Sequence, residues 1–277
     1  MSSQKTMVPQ WAGVSKPVIG MIHLKALPGS PQFHGDIRGL RDRCIADAEA
    51  LVGGGVHGLM IENYGDSPFF PGRVPPHVVS HMTALATNLR RRWPDVPFGV
   101  NVLRNDGFAA MAVAQSVGAA FIRVNVLCGA RVTDQGLIEG IAPELMRYRQ
   151  QLGAEHLKVF ADVDVKHSAP LAGGRGVRLE DEVRDLIERG LADAVIVSGA
   201  ATGRPTDLDE LLLARSAADA TPVLVGSGVT ASSLPQLSGH ADGFIVGSAL
   251  KFGGKADNAV DPTAVVHFMQ AWRQVNG

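Results

Sequence analysis

From Lys16 onward, short runs that are apolar at consecutive positions alternate with longer stretches whose apolar residues recur every three or four positions. The runs at 18–24, 56–63, 98–103, 120–126, 157–163, 194–198, 222–226 and 243–247 read as strands. Segments such as VIGMI, FIRVNV, AVIVS and FIVGS are apolar on both parities, as strands covered on both faces of a parallel sheet must be. Residues 36–52 place Leu40, Cys44, Ala48 and Leu51 on one helical face, and Gly53–Gly54–Gly55 stops the pattern. Residues 179–189 place Val183, Leu186 and Ile187 on another face and stop at Gly190. Helices over 138–152, 207–218 and 262–275 complete the set of clearer long ones.

Eight strands, each followed by a helix at roughly 35 residues per unit, is the arithmetic of an α/β (β/α)8 TIM barrel. A doubly wound open sheet is the competitor. Its nearest fingerprint, GSGVTA at 226–231, follows the seventh strand and not the first, and Asp242 starts the next strand where an acid should end it. No linker, charge run or polar tract divides the chain. Residues 17–277 are therefore expected to form one barrel domain, with 1–16 as an extension or a cap on the barrel bottom.

Composition sharpens this picture at three points. Glycine supplies 32 of 277 residues with no repeat to absorb them, so glycines mark discrete turns. Lys and Arg number 26 against 27 Asp and Glu, a formal charge of −1. That balance argues against a nucleic-acid or membrane-surface partner but leaves room for one local phosphate site. Cys44 and Cys128 are too few and too far apart for a disulfide framework or a CxxC zinc site, which suits a reducing, cytoplasmic setting. No apolar leader opens the chain and no run of 18 apolar residues occurs, so neither secretion nor a membrane span is expected.

In such a barrel, chemistry belongs at the C-terminal ends of the strands. Polar residues interrupt the apolar runs there: His23; Glu62, Asn63 and Asp66; Asn101, Arg104, Asn105 and Asp106; Arg123 and Asn125; Asp162, Asp164, Lys166 and His167; Ser198, Thr202 and Arg204. Asp106 is equally at home as a helix N-cap. His23, Asn63, Asn101, Arg123, Asn125 and Thr202 are taken as substrate-binding candidates. VLVGSGVT (223–230) and GFIVGSALK (243–251) each follow an apolar strand with Gly-Ser, and a short helix fits near 232–237. Backbone N–H groups of Gly226, Ser227, Gly228, Gly247 and Ser248 would then converge on a phosphate, since glycine lets the backbone approach.

The densest charged cluster is DVDVKH at 162–167. Lys166 could neutralise a phosphate or an enolate, or form a Schiff base if burial lowered its pKa. Asp162 or Glu62 could serve as general base, or hold a divalent cation, and His167 adds acid–base capacity. If the strand stays extended, Asp162, Asp164 and Lys166 share one parity and one small volume. No organic cofactor is expected. His77 and His81 are spaced i, i+4, but HVVSH lacks the glutamate of a zinc helix. AGGRG at 172–176 reads as a mobile loop whose arginine could close over an anion.

Taken together, IGMIHLKALPGSP (19–31), ENYGDSPF (62–69), VNVLRND (100–106), FIRVNV (121–126), DVDVKHSAPL (162–171), VSGAATG (197–203), VGSGVT (225–230) and DGFIVGSALKFGGKADNAVD (242–261) resemble the BtpA/SgcQ family. The resemblance covers nearly everything after Lys16. It implies a ribulose-phosphate-binding type of barrel, in agreement with the paired Gly-Ser loops; a phosphorylated small-molecule ligand and a homo-oligomer are expected. One branch is named for photosystem I biogenesis and another for an operon devoted to sugar uptake and metabolism. Two classes of function follow: an enzyme of lyase, isomerase or hydrolase type acting on a phosphorylated sugar or nucleoside-like metabolite, or a non-catalytic assembly or regulatory factor.

Overall fold

Strand parity decides the architecture. The computed structural model describes residues 7–171, 178–198 and 207–276. Eight parallel strands close into a barrel: β1 (Val18–His23), β2 (Gly58–Glu62), β3 (Phe98–Asn101), β4 (Phe121–Val124), β7 (Lys158–Val163), β9 (Ala194–Val197), β10 (Val223–Val225) and β11 (Gly243–Val246). The order around the barrel is β1-β11-β10-β9-β7-β4-β3-β2, and β1 closes on β11 through Val18↔Phe244. Eight helices accompany them: α1 (Ile37–Gly53), α2 (Pro76–Arg92), α3 (Gly107–Ser116), α4 (Ala142–Gln151), α5 (Leu179–Arg184), α6 (Leu208–Ala217), α7 (Leu234–Leu237) and α8 (Pro262–Asn276).

One parity of each strand fills the barrel. Ile19, Met21, Met60, Phe121, Phe160, Ala194, Ile196, Leu224 and Ile245 pack there, joined by Met7, Val8 and Trp11 from ahead of β1. Trp11 Nε1 donates to the His57 carbonyl at 2.7 Å, just before β2, so this plug lies at the N-terminal end. Phe121 and Phe160 stack with centroids 4.6 Å apart, and each buried ring contributes roughly 2–3 kcal/mol. Gly99 makes the Phe121 seat: a Cβ there would come within 2.1 Å of the ring. The other parity faces the helices, where Val18, Ile22, Ile61, Val100, Ile122, Val159 and Val195 meet Leu51, Met82, Met111 and Leu211.

The structure departs from the sequence reading at the loops. Residues 138–152 are not one helix. Ile138 belongs to β6 (Gly136–Glu139), which pairs antiparallel with β5 (Ala130–Thr133); α4 starts after Gly140, with Pro143 in its first turn. β8 (Ser168–Pro170) joins the other edge of β5, giving a three-stranded sheet beside the barrel mouth. The helix expected over 179–189 is α5 followed by one π turn, Asp185–Arg189, before Gly190. Two further helices, α2 and α3, carry stretches whose periodicity was not singled out; Asp106 caps α3 by accepting from the Ala109 amide at 2.9 Å. The short helix after β10 is a single turn, α7. Among the described residues no helix is long and apolar enough to cross a membrane.

Candidate functional site at the barrel mouth

The parity that packs the interior turns polar at the C-terminal end of most strands. Register sets the neighbours: His23 lies beside Glu62, Glu62 beside Asn101, and Asn101 beside Arg123. Asn125 just past the end of β4, Asp162 on β7 and Ser198 just past the end of β9 carry the same inward parity, and all three are buried. On β10 and β11 the equivalent positions are Gly226 and Gly247. Here a Cβ would crowd the layer: at Gly247 it would meet His23 Cε1 at 3.1 Å, and at Gly226 it would meet Ile196 at 2.4 Å and Arg123 Nη2 at 3.6 Å.

Arg123 and Asp162 form the most enclosed ion pair. Arg123 Nε and Nη2 donate to the two carboxylate oxygens at 2.9 and 2.7 Å, and Asn125 Nδ2 and Ser198 Oγ add bonds at 2.8 and 3.1 Å. Burial works against the Arg123 charge, but Asp162 outweighs it and raises the guanidinium above its ordinary range. The oxygens of Asp162 are thereby occupied, so the residue fixes Arg123 and Asn125 and holds no free lone pair in the direction of a substrate proton. Of the two candidate bases, Glu62 is the open one. Its Oε2 accepts from Asn101 Nδ2 at 2.6 Å, and its Oε1 faces His23 Nε2 at 3.8 Å.

Lys166 enters the mouth without its expected companions. The extended backbone ends at Val163, and Asp164 adopts φ 44°. Asp164 swings outward to Arg131, at 2.6 Å, and Arg131 also pairs with Glu182. The single volume expected for Asp162, Asp164 and Lys166 is therefore not formed. Among the described residues no carboxylate lies within ion-pair distance of the Lys166 ammonium. Burial and then the Arg123 charge push that ammonium below its usual range, partly opposed by Glu62 and Asp162.

A cavity of about 530 Å³ lies over this layer, and Glu62, Arg104, Arg123, Asn125, Lys166 and His167 line it. His167, at φ 58°, sits on its outer rim, its pKa lowered by partial burial and by Lys166 and Arg104. Arg104 is a wall residue to which the sequence reading gave no role. It is 6% exposed and donates to the Lys166 carbonyl at 2.6 Å. Tyr64 and Asp257 also line the wall, with Gln135 from the β5–β6 turn. None stands at a strand end in the sequence, which is why parity could not find them. Asn63 is placed elsewhere: its amide bonds the Leu103 backbone N–H at 2.7 Å and the Asp66 carboxylate at 3.1 Å, tying the end of β2 to the end of β3. Thr202, with Arg204 and the 172–176 segment, lies outside the described residues.

Gly226 and Ser227 are buried, while Gly228, at φ 63°, and Ser248 are partly open. Neither glycine loop lines the 530 Å³ cavity; both border the polar layer from the β10–β11 side. Among the described residues, no group of three or more His, Cys, Asp or Glu is gathered as a metal cage would be. His77 and His81 sit on α2, in the outer layer.

Fold and mouth together define a (β/α)8 barrel with a buried, charged polar layer at the C-terminal ends of its strands. The BtpA family model matches residues 14–274, and the chain belongs to the BtpA family. The photosystem I biogenesis protein BtpA of Synechocystis is 48% identical over 255 residues, covering 92% of this chain and 87% of that protein. An uncharacterized protein of Thermococcus kodakarensis is 49% identical over 245 residues, covering 88% and 90%. An uncharacterized mitochondrial protein of Caenorhabditis elegans is 33% identical over 272 residues, covering 96% and 97%. Among solved structures, KGPDC from Streptococcus mutans matches with TM-score 0.58 at 13% identity, over 95% of this chain and all of that one. N-(5'-phosphoribosyl)anthranilate isomerase from Pyrococcus furiosus matches with TM-score 0.55 at 13% identity, over 94% and 100%. At those identities the likeness establishes the fold alone.

Proposed function

We propose that the protein is an enzyme acting on a phosphorylated sugar or nucleoside-like metabolite at the barrel mouth, by lyase, isomerase or hydrolase chemistry. The observation that carries this reading is the pair of cations at the mouth, Arg104 and Lys166, that stand outside any ion pair among the described residues. Arg104, Arg123 and Lys166 are gathered there with Glu62 and the wall carboxylates of Asp134 and Asp257, and Arg123 is paired beneath them with Asp162. Arg104 and Lys166 are therefore the cations an anionic ligand would meet in the cavity. A lysine without a carboxylate at ion-pair distance among the described residues is also a preorganised charge for an anion that develops during reaction.

In this reading Lys166 meets the developing negative charge and Glu62 exchanges a proton with the ligand. Arg123, Asn101 and Asn125 orient it, and His167 closes the outer rim. Asp162 acts through Arg123 as a positioning residue. The phosphate is assigned to the backbone N–H groups of 226–228 and 247–249, which border the same layer. A divalent cation has no role assigned. The protein is read as cytoplasmic and homo-oligomeric.

The 48% identity to a photosystem I biogenesis protein favours a second reading, an assembly factor that uses the barrel as a scaffold. The nematode relative comes from an animal without photosystems, so a role common to both would not be tied to photosystem I. A thermal-shift screen of sugar phosphates and nucleotides, with and without divalent cations, separates the two. A ligand at 100 times its Kd adds about 2.7 kcal/mol of apparent stability. A screen in which no phosphorylated compound raises the melting temperature would favour the scaffold.

A further inference from the structure

The hydrogen-bonding polarity of the mouth says more than its charge does. His23 Nδ1 lies 3.1 Å from the Ala256 carbonyl, which can only accept, so Nδ1 carries the proton and Nε2 presents a lone pair. That lone pair faces Glu62 Oε1, another acceptor, at 3.8 Å. Asn101 holds the other Glu62 oxygen, leaving Oε1 with no donor among the described residues. Asn125 is 2% exposed; its Nδ2 is committed to Asp162, and its Oδ1 has no hydrogen-bond partner among the described residues. Three acceptors in one polar layer thus lack donors. A buried acceptor left unpaired, as Asn125 Oδ1 is, costs stability, so such a floor persists where a ligand or water supplies the protons.

We infer that this floor is a polyol subsite: His23 Nε2, Glu62 Oε1 and Asn125 Oδ1 accept hydrogen bonds from ligand hydroxyl groups, a vicinal diol spanning the 3.8 Å between His23 and Glu62. Glu62 and Asn125 line the 530 Å³ cavity, and His23 lines the adjoining cavity of about 600 Å³, which shares Tyr64, Gly65 and Asp257 with it. The inference rests on the reading of an anionic ligand in the 530 Å³ cavity and deepens it by orienting that ligand. Its hydroxylated part lies on the β1–β4 side, and its anionic part reaches Lys166, Arg104 or the glycine loops. Each sugar hydroxyl has a proton to donate, whereas a carboxylate or a second phosphate would set acceptor against acceptor. Tyr64 stacks on His23 with centroids 4.6 Å apart and holds the imidazole plane, and Gly247 leaves the space beside Nε2 open. Burial, then Lys251, and further off Lys166 and Arg123, keep His23 neutral, so Nε2 stays an acceptor near pH 7.

Two measurements test this. Nitrogen-detected NMR of the histidine rings at pH 7 should show His23 protonated on Nδ1 and bare on Nε2; a proton on Nε2 overturns the proposal whatever binds. Calorimetric titrations should compare ribose 5-phosphate and glucose 6-phosphate with their 2-deoxy counterparts, and with inorganic phosphate as the reference anion. The wild-type protein should prefer at least one parent sugar phosphate over its deoxy form by about tenfold or more, as polar sites do when a hydroxyl is missing. His23→Leu and Glu62→Gln, each checked for an unchanged melting transition, should erase that preference while inorganic phosphate binds as before. Equal affinity for parent and deoxy compounds overturns the polyol floor and leaves the anion reading standing. Failure of every phosphate compound to bind removes both.

Discussion

Arg123 and Asp162 show how one residue pair can be structural and still set the site. Both are within 4% of full burial and exchange two hydrogen bonds. Removing one partner strands the other charge in a medium that solvates it poorly. Arg123→Met is therefore expected to cost about 3–5 kcal/mol, read from denaturant unfolding. A loss under 1 kcal/mol would mean that water reaches Asp162. His57 gives a pH signature of the same kind. Its Nδ1 accepts the Val18 amide at 3.0 Å, its ring meets Trp272 at 4.4 Å, and burial followed by Arg273 lowers its pKa from 6.5 to about 4. Between those values the unfolded chain binds the extra proton. His57 therefore contributes stability fully present above pH 6.5 and lost as pH falls toward 4. Allowing for its partial exposure, the loss is on the order of 2 kcal/mol. Melting curves at pH 7 and 4.5 should show that fall in the wild type and a flatter dependence in His57→Gln.

At the scale of elements, the barrel strands were legible because parallel strands buried on both faces write themselves as continuous apolar runs. Their ends were legible too, since His23, Glu62, Asn101, Arg123 and Asp162 break those runs at inward positions. What was not legible is β5–β6–β8. Ala130–Thr133 and Gly136–Glu139 are four-residue strands with mixed burial, and their pairing depends on a turn that the local pattern does not mark. The same limit applies to DVDVKH: a shared parity for Asp162, Asp164 and Lys166 requires extension past Val163, and Asp164 instead turns to reach Arg131. The glycine elements carry a prediction of their own. Gly228 has φ 63°, where a β-branched residue is strained by about 1–3 kcal/mol. Gly228→Val should lower the melting temperature modestly and abolish inorganic phosphate binding. Unchanged phosphate affinity would move the anion seat away from this loop and toward Lys166 and Arg104.

For the molecule as a whole, an apolar interior sealed below by Trp11 and Val8 supports a polar layer that faces the cavity. The sequence could name most of that layer because one parity runs through every strand. It named Arg104 only as one polar residue in the run after the third strand, and it could not name Tyr64 or Asp257, which loops bring in from outside the strand pattern. Nor could it show that the ammonium of Lys166 has no carboxylate at ion-pair distance among the described residues, a fact that rests on the outward turn of Asp164. That lysine offers the most direct test of the account. Lys166→Met and the wild-type protein should be compared by calorimetric titration with ribose 5-phosphate and inorganic phosphate, alongside their melting curves. The account predicts melting within a degree or two of wild type and affinity for the sugar phosphate weakened by about 100-fold, as expected for loss of a preorganised charge. A large drop in melting temperature with affinity unchanged would contradict it, making Lys166 a strut of the barrel mouth and placing the ligand elsewhere.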